Sequence, residues 1–266
     1  MTALVLFILA ALTYAAASLA YGVERSGDSE RARRLAQTLL AIAAILHFAE
    51  IGAQSAGGEH PFGSVWRVFS FGAMITVGLF FAIARGRSLT SLGAIIAPLG
   101  LIGLVLGQAL DADTATRIPA SVGLTRLHIG LATVGLAVFI LAAGVAAIYL
   151  AMERRLRSRK FKPTAGVPGI SLTGLDRLHH RVMMVATPIF TLAMVTGVLW
   201  IIQAGGLVSL RDRWFELLIG GVAWIASVAV LALRAALGIR GRRAALLTLV
   251  AFACTVVILA WYGVRA

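Results

Sequence analysis

Runs of about twenty apolar residues recur eight times along the chain, separated by shorter stretches in which the charged residues gather. The runs cover roughly 2–22, 35–55, 68–84, 92–110, 127–151, 181–204, 215–234 and 244–263. Each is close to the ~20 residues that an α-helix needs to cross ~30 Å of hydrocarbon. The pattern predicts an all-α fold, a polytopic membrane bundle of eight transmembrane helices that forms a single domain over residues 1–266. The longest connection, 152–181, opens with the basic run Glu153-Arg154-Arg155-Leu156-Arg157 and closes with Leu175-Asp176-Arg177-Leu178. Around Pro163 and Pro168 it should be irregular. Its first residues can continue the fifth helix and rest a basic face on anionic headgroups. A solvated loop that sets topology is the plainer reading. No internal repeat and no separate soluble domain is visible.

Composition agrees with this reading. The chain is 60% hydrophobic and only 13% charged, with a mean hydropathy of +0.93. Soluble domains carry about 25% charged residues, so a water-soluble fold is excluded. The single cysteine, Cys254, lies in the last apolar run and can form neither an internal disulfide nor a C-x-x-C pair. It reads as a packing residue.

The net charge of +13 would suit nucleic-acid binding if it were clustered on one surface, but it sits in short loops between spans. Four connections, 23–34, 85–91, 152–181 and 235–243, together with the flanking Arg234, carry 18 of the 24 Lys and Arg. The other side carries six: Arg67, Arg117, Arg126, Arg211, Arg213 and Arg265. By the positive-inside rule the first set is cytoplasmic, so both termini face outward (the periplasmic side). Ser18-Leu19-Ala20 resembles a signal-cleavage site, yet no basic residue precedes the first apolar run and its first charge is Glu24. That run is read as a retained span.

Four of the five histidines, His47, His128, His179 and His180, lie in or at the mouth of a span. An imidazole at membrane depth is costly without a partner or a task, and it is a good ligand for haem iron. His47, Glu50 and Gln54 are spaced i, i+3, i+7 and share a helix face. On that face Glu50 could orient the His47 ring, although a structural network between helices is a close alternative. His128, in Arg126-Leu127-His128-Ile129-Gly130-Leu131, lies near the outer membrane face, level with His47 if their helices are neighbours. The two rings could then clamp one iron, with Arg126 and Arg67 available to haem propionates. His179 and His180 point about 100° apart on a helix, so at most one should face the bundle interior. Met183, Met184 and Met194 follow on the same span as possible thioether donors. His60, in Gly57-Gly58-Glu59-His60-Pro61-Phe62, reads as an ordinary residue of an outward loop. There is no H-E-x-x-H pattern, no phosphate-binding glycine loop and no acidic ladder across several spans. No single span carries two histidines spaced for stacked haems.

Three blocks carry a family resemblance. They are Leu127-His128-Ile129-Gly130-Leu131; Leu175-Asp176-Arg177-Leu178 leading into Thr191, Thr196-Gly197 and Trp200; and Ile239-Arg240-Gly241-Arg242-Arg243-Ala244-Ala245 leading into Tyr262-Gly263. With them the chain resembles the cytochrome c assembly protein family, in its CcsA, HemX and YpjD branches, best over 120–264 and weakly over 1–119. The resemblance implies haem handling at the outer face, with His128 at the position of the family's haem ligand. His47 resembles a histidine of the HemX- and YpjD-like branches, and His180 resembles one of the YpjD-like branch. The chain also departs from the family. The tryptophan-rich outward motif is replaced by Ala204-Gly205-Gly206-Leu207-Val208-Ser209-Leu210-Arg211-Asp212-Arg213-Trp214, and Ala232 stands where many members place a histidine.

The expected protein is therefore a multi-pass protein of the bacterial inner membrane that binds haem b rather than an enzyme attaching it. Its cofactor-binding residues would be His128, His47, His180, Glu50 and Arg126, with His128 and His47 on the iron. Its partners would be the lipid bilayer and other cytochrome c biogenesis membrane proteins or an apocytochrome, not nucleic acid. The alternatives are a haem-free structural or regulatory membrane subunit and, with less in its favour, a transporter.

Overall fold

The computed structural model describes residues 1–27, 30–83, 90–110, 123–158 and 171–265, and the described residues are helical apart from short connections. The helices are α1 (Thr2–Gly27), α2 (Glu30–Ala56), α3 (Val65–Ile83), α4 (Thr90–Ala109), α5 (Gly123–Arg157), α6 (Leu172–Asp212), α7 (Trp214–Leu237) and α8 (Arg242–Arg265). All eight are long and apolar enough to cross a membrane. Arg85, Arg87, Arg117, Arg159, Lys160, Lys162, Pro163 and Pro168 lie outside the described residues. The chain divides into two compact units, Met1–Ala120 and Ser121–Arg265, each with four helices.

In the first unit α1 packs on α2 and α4, α3 packs on α4, and α2 makes smaller contacts with α3 and α4. Large aliphatic side chains point away from the bundle: Leu4, Ile8, Leu12 and Leu19 of α1 are exposed, whereas Ala10, Tyr14, Ala17 and Tyr21 are buried. Small and polar residues inside with leucines outside is the arrangement of helices that associate in lipid. Four glycines of α4 make the close approach possible. A Cβ on Gly93 would lie 2.2 Å from the Tyr21 ring, and one on Gly100 would lie 2.5 Å from the Tyr14 ring. On the other side, Gly103 and Gly107 would place a Cβ 2.3 Å from the Ala73 Cβ and 2.5 Å from the Ser70 Cβ of α3. The absence of side chains at these positions lets α4 seat two tyrosines on one face and α3 on another.

In the second unit α5 packs on α6 and α8, and α7 packs on α6 and α8. The apolar runs underestimated α5 and α6. The fifth helix does continue into the basic run, to Arg157, and the 41-residue α6 starts at Leu172 and reaches Asp212. At 1.5 Å per residue α6 is about 60 Å long, twice the hydrocarbon thickness. The segment Leu175–Leu178 is therefore helical rather than part of a loop. Asp176 accepts two hydrogen bonds from the Arg234 guanidinium of α7, at 3.1 and 2.9 Å. It accepts a third, at 2.8 Å, from the Gly241 backbone N–H. Gly241 has φ 66°, and a Cβ there would lie 2.5 Å from the Tyr149 hydroxyl of α5. One carboxylate thus joins α6, α7 and the turn into α8 beside α5.

Two stability measurements test this packing. Gly100→Leu should cost about 1–3 kcal/mol by overpacking against Tyr14. Gly78→Ala, at a position with nothing within 4 Å, should be neutral or stabilising by up to about 1 kcal/mol. Thermal unfolding in detergent separates the two. Asp176 and Arg234 are only 12% and 11% exposed, so Arg234→Met should destabilise by about 3–5 kcal/mol by leaving a carboxylate unpaired. The double variant Arg234→Met with Asp176→Asn should recover much of that loss.

Candidate functional site

His128 lies in the second turn of α5 against α6. Four residues of α6 at helical spacing form its surroundings: Ala193, Thr196, Gly197 and Trp200. The ring Nδ1 is 3.0 Å from the Ala193 carbonyl oxygen and 3.4 Å from Thr196 Oγ1. A carbonyl only accepts, so Nδ1 carries the proton and donates. The Thr196 hydroxyl already donates to the backbone of Leu192 or Ala193, at 2.8 and 3.1 Å, and its oxygen is free to accept. Nε2 is then the nitrogen with the lone pair, the state in which an imidazole ligates a metal.

Gly197 makes room for the ring, since a Cβ there would lie 2.8 Å from Cε1. Trp200 lies nearly parallel to the imidazole, with ring centroids 6.2 Å apart and planes inclined by 8°. Arg213 places its guanidinium 5.0 Å from the centroid of the Trp200 ring, a cation–π contact. The half-buried His128 thus sits beside an aromatic surface and a cation, with its basic nitrogen unbound by protein among the described residues. Arg126, two residues earlier, is exposed.

His47 is placed differently. It is fully buried in the first unit, and both ring nitrogens have protein partners. Nε2 is 2.9 Å from Ser70 Oγ on α3, and Nδ1 is 3.3 Å from the Tyr14 hydroxyl on α1. The Tyr14 and His47 rings meet edge to face at 5.8 Å. One nitrogen donates and the other accepts, so a neutral ring is satisfied on both sides. Glu50 was expected to orient this ring. Instead its carboxylate turns along the helix and accepts from the Gln54 amide, which also donates to Gln108 Oε1 at 3.0 Å. The i, i+4 spacing of Glu50 and Gln54 favours that contact.

His179 and His180 have different surroundings. His179 is 3% exposed, with Nε2 2.9 Å from Thr248 Oγ1 on α8. His180 is half-buried, and its Nδ1 is buried without a hydrogen-bond partner. Met183 is buried with its sulfur 3.8 Å from the same threonine hydroxyl, whereas Met184 is 56% exposed. His60 is exposed and accepts from the Phe62 backbone N–H at 3.1 Å. Among the described residues no three His, Cys, Asp or Glu side chains converge on one point. A bare metal ion therefore finds no complete protein cage there, whereas haem needs only one or two axial ligands from the protein.

The residues that complete these environments were not singled out as partners from sequence. Tyr14, Ser70 and Thr248 are uncharged, common in membrane helices, and distant in sequence from the histidines they meet. Arg213 carried a signal only as one of the few basic residues on the arginine-poor side.

Comparison with known proteins adds the family. The Cytochrome C assembly protein family matches residues 32–266. A curated relative, Protein HemX of Brevibacillus brevis, is 27% identical over 192 residues, which cover 70% of each chain. No solved structure matches the chain. The family match includes most of the first unit as well as the second, beyond the 120–264 of the resemblance read from motifs. Eight apolar helices and a family match across 32–266 lead to one conclusion: this multi-pass membrane protein belongs to the Cytochrome C assembly protein family.

Proposed function

We propose that the protein binds haem b in the membrane as part of cytochrome c biogenesis, with Nε2 of His128 as a ligand to the iron. The observation that carries this reading is the hydrogen bond from His128 Nδ1 to the Ala193 carbonyl, which leaves the lone pair on the opposite nitrogen. Bound haem would supply a redox-active iron. The residues of this chain would hold it. His128 would ligate, Ala193 and Thr196 would orient the ring, and Trp200 would offer an aromatic surface. Arg213 would offer a cation suited to a propionate.

His47 is assigned a packing role, because ligation would require it to release Ser70 or Tyr14. Glu50 is not assigned to haem. His180 keeps an unbonded nitrogen but has no comparable orienting contact. The loop charges support a topology in which both termini and the His128 end of α5 face the periplasm, with the chain in a bacterial inner membrane. The reading is of a haem-holding subunit that works with other biogenesis membrane proteins or an apocytochrome. A haem-free structural subunit is the rival reading, and the saturated His47 network favours it.

Reconstitution of the detergent-purified chain with haem separates them. The proposal expects a Soret band that His128→Ala abolishes or shifts, with affinity reduced at least about tenfold, the scale on which even orienting partners act. His47→Ala should leave the band in place and lower thermal stability. A Soret band that is absent, or unaltered in His128→Ala, contradicts the proposal.

A further inference from the structure

Glu50 is an acidic side chain without a complete set of partners. It is 2% exposed and lies six residues before the end of α2. Oε1 accepts from the Gln54 amide, while Oε2 is buried with no hydrogen-bond partner. The side chain borders a cleft lined also by Gln54, Arg67, Ser70, Gly107 and Gln108. The cleft has room for about one water molecule.

The protonation state follows from what surrounds the group. Tyr14 on α1 and His47 on α2 are neutral and hydrogen-bonded to each other. Arg67 at the start of α3 forms an ion pair with Glu59 at 3.1 Å. The contribution of α4 to the cleft is Leu104, Gly107 and Gln108, all uncharged. An ionised Glu50 would hold a buried charge with one oxygen unsatisfied, the most costly arrangement available to it. A neutral carboxyl uses Oε1 as the acceptor for Gln54 and turns Oε2 into an O–H donor, which a single water in the cleft can satisfy.

The geometry points to Glu50 as a proton-binding site, a carboxyl that carries a proton on Oε2 and exchanges it with water in the cleft formed with Gln54, Ser70 and Gln108. In loading, hydronium gives its proton to the carboxylate and remains as the cleft water. In unloading, the water takes the proton back, and the remaining charge lies in a cleft that Arg67, paired with Glu59, also lines. That guanidinium disfavours a metal cation as the occupant. Glu50 therefore has a role separate from haem ligation.

Infrared difference spectra of the full-length protein in detergent, recorded between acidic and alkaline pH, test the site. The expected result is a protonated-carboxyl C=O band that disappears as pH rises, shifts down in D2O because water reaches the group, and is missing in Glu50→Gln. Gln54→Leu removes the hydrogen bond to the carbonyl oxygen and should shift the same band to higher frequency, a readout that survives if Glu50→Gln does not fold. The absence at every pH of any band sensitive to Glu50→Gln or Gln54→Leu overturns the proposal. A band that sodium chloride removes at fixed pH, and choline chloride does not, also overturns it by making the occupant a metal cation.

Discussion

A polar group inside hydrocarbon has only the protein to bond with, and the placement of His47, His128 and His179 follows from that constraint. His47 meets it with a hydroxyl on each nitrogen, from Tyr14 and Ser70. His179 meets it at Nε2 with Thr248. His128 meets it at Nδ1 alone, with the Ala193 carbonyl of the neighbouring helix. His47, bonded on both nitrogens, holds helices together, whereas the His128 ring is oriented by one bond and keeps a basic nitrogen. Because the acceptor is a backbone carbonyl, the tautomer of His128 follows from the fold rather than from a side chain that can rotate.

The same constraint reaches back to the glycines. Tyr14 can reach His47 because its ring lies where a side chain at Gly100 would be, and Ser70 can reach the other nitrogen because Gly107 leaves space for it. Gly197 does the equivalent for His128. In each case a missing side chain on one helix lets a polar group on another come close enough to bond. In lipid, where burying leucine against leucine provides little drive, such close contacts supply much of the cohesion. The Asp176–Arg234 pair with the Gly241 N–H is the charged version, three hydrogen bonds on one carboxylate.

Much of the fold was legible in the sequence because an apolar run of sufficient length has few alternatives to a helix. Eight runs gave eight helices. The early start of α6 was not legible. Leu172–Arg181 is polar enough to resemble a loop, and the partner that makes Asp176 a good helical residue, Arg234, lies 58 positions away. The i, i+3, i+7 spacing correctly placed His47, Glu50 and Gln54 together, but spacing does not determine which hydrogen bonds form. Ser70 and Tyr14 on other helices outcompeted Glu50 for the imidazole. His128 stood out through its surrounding motif. The orienting carbonyl of Ala193 has no side-chain signature, since any residue at that position supplies one.

The account rests on His128 being held as the Nδ1–H tautomer with a basic Nε2. Nitrogen NMR of the full-length protein with labelled histidine, in the absence of haem and with His128→Gln used to assign the signal, measures this directly. The predicted result is a protonated, pyrrole-like Nδ1 and an unprotonated, pyridine-like Nε2 at neutral pH, with the Nε2 signal lost or strongly displaced when haem is added. A His128 ring protonated at Nε2, or an Nε2 signal indifferent to haem, would contradict it.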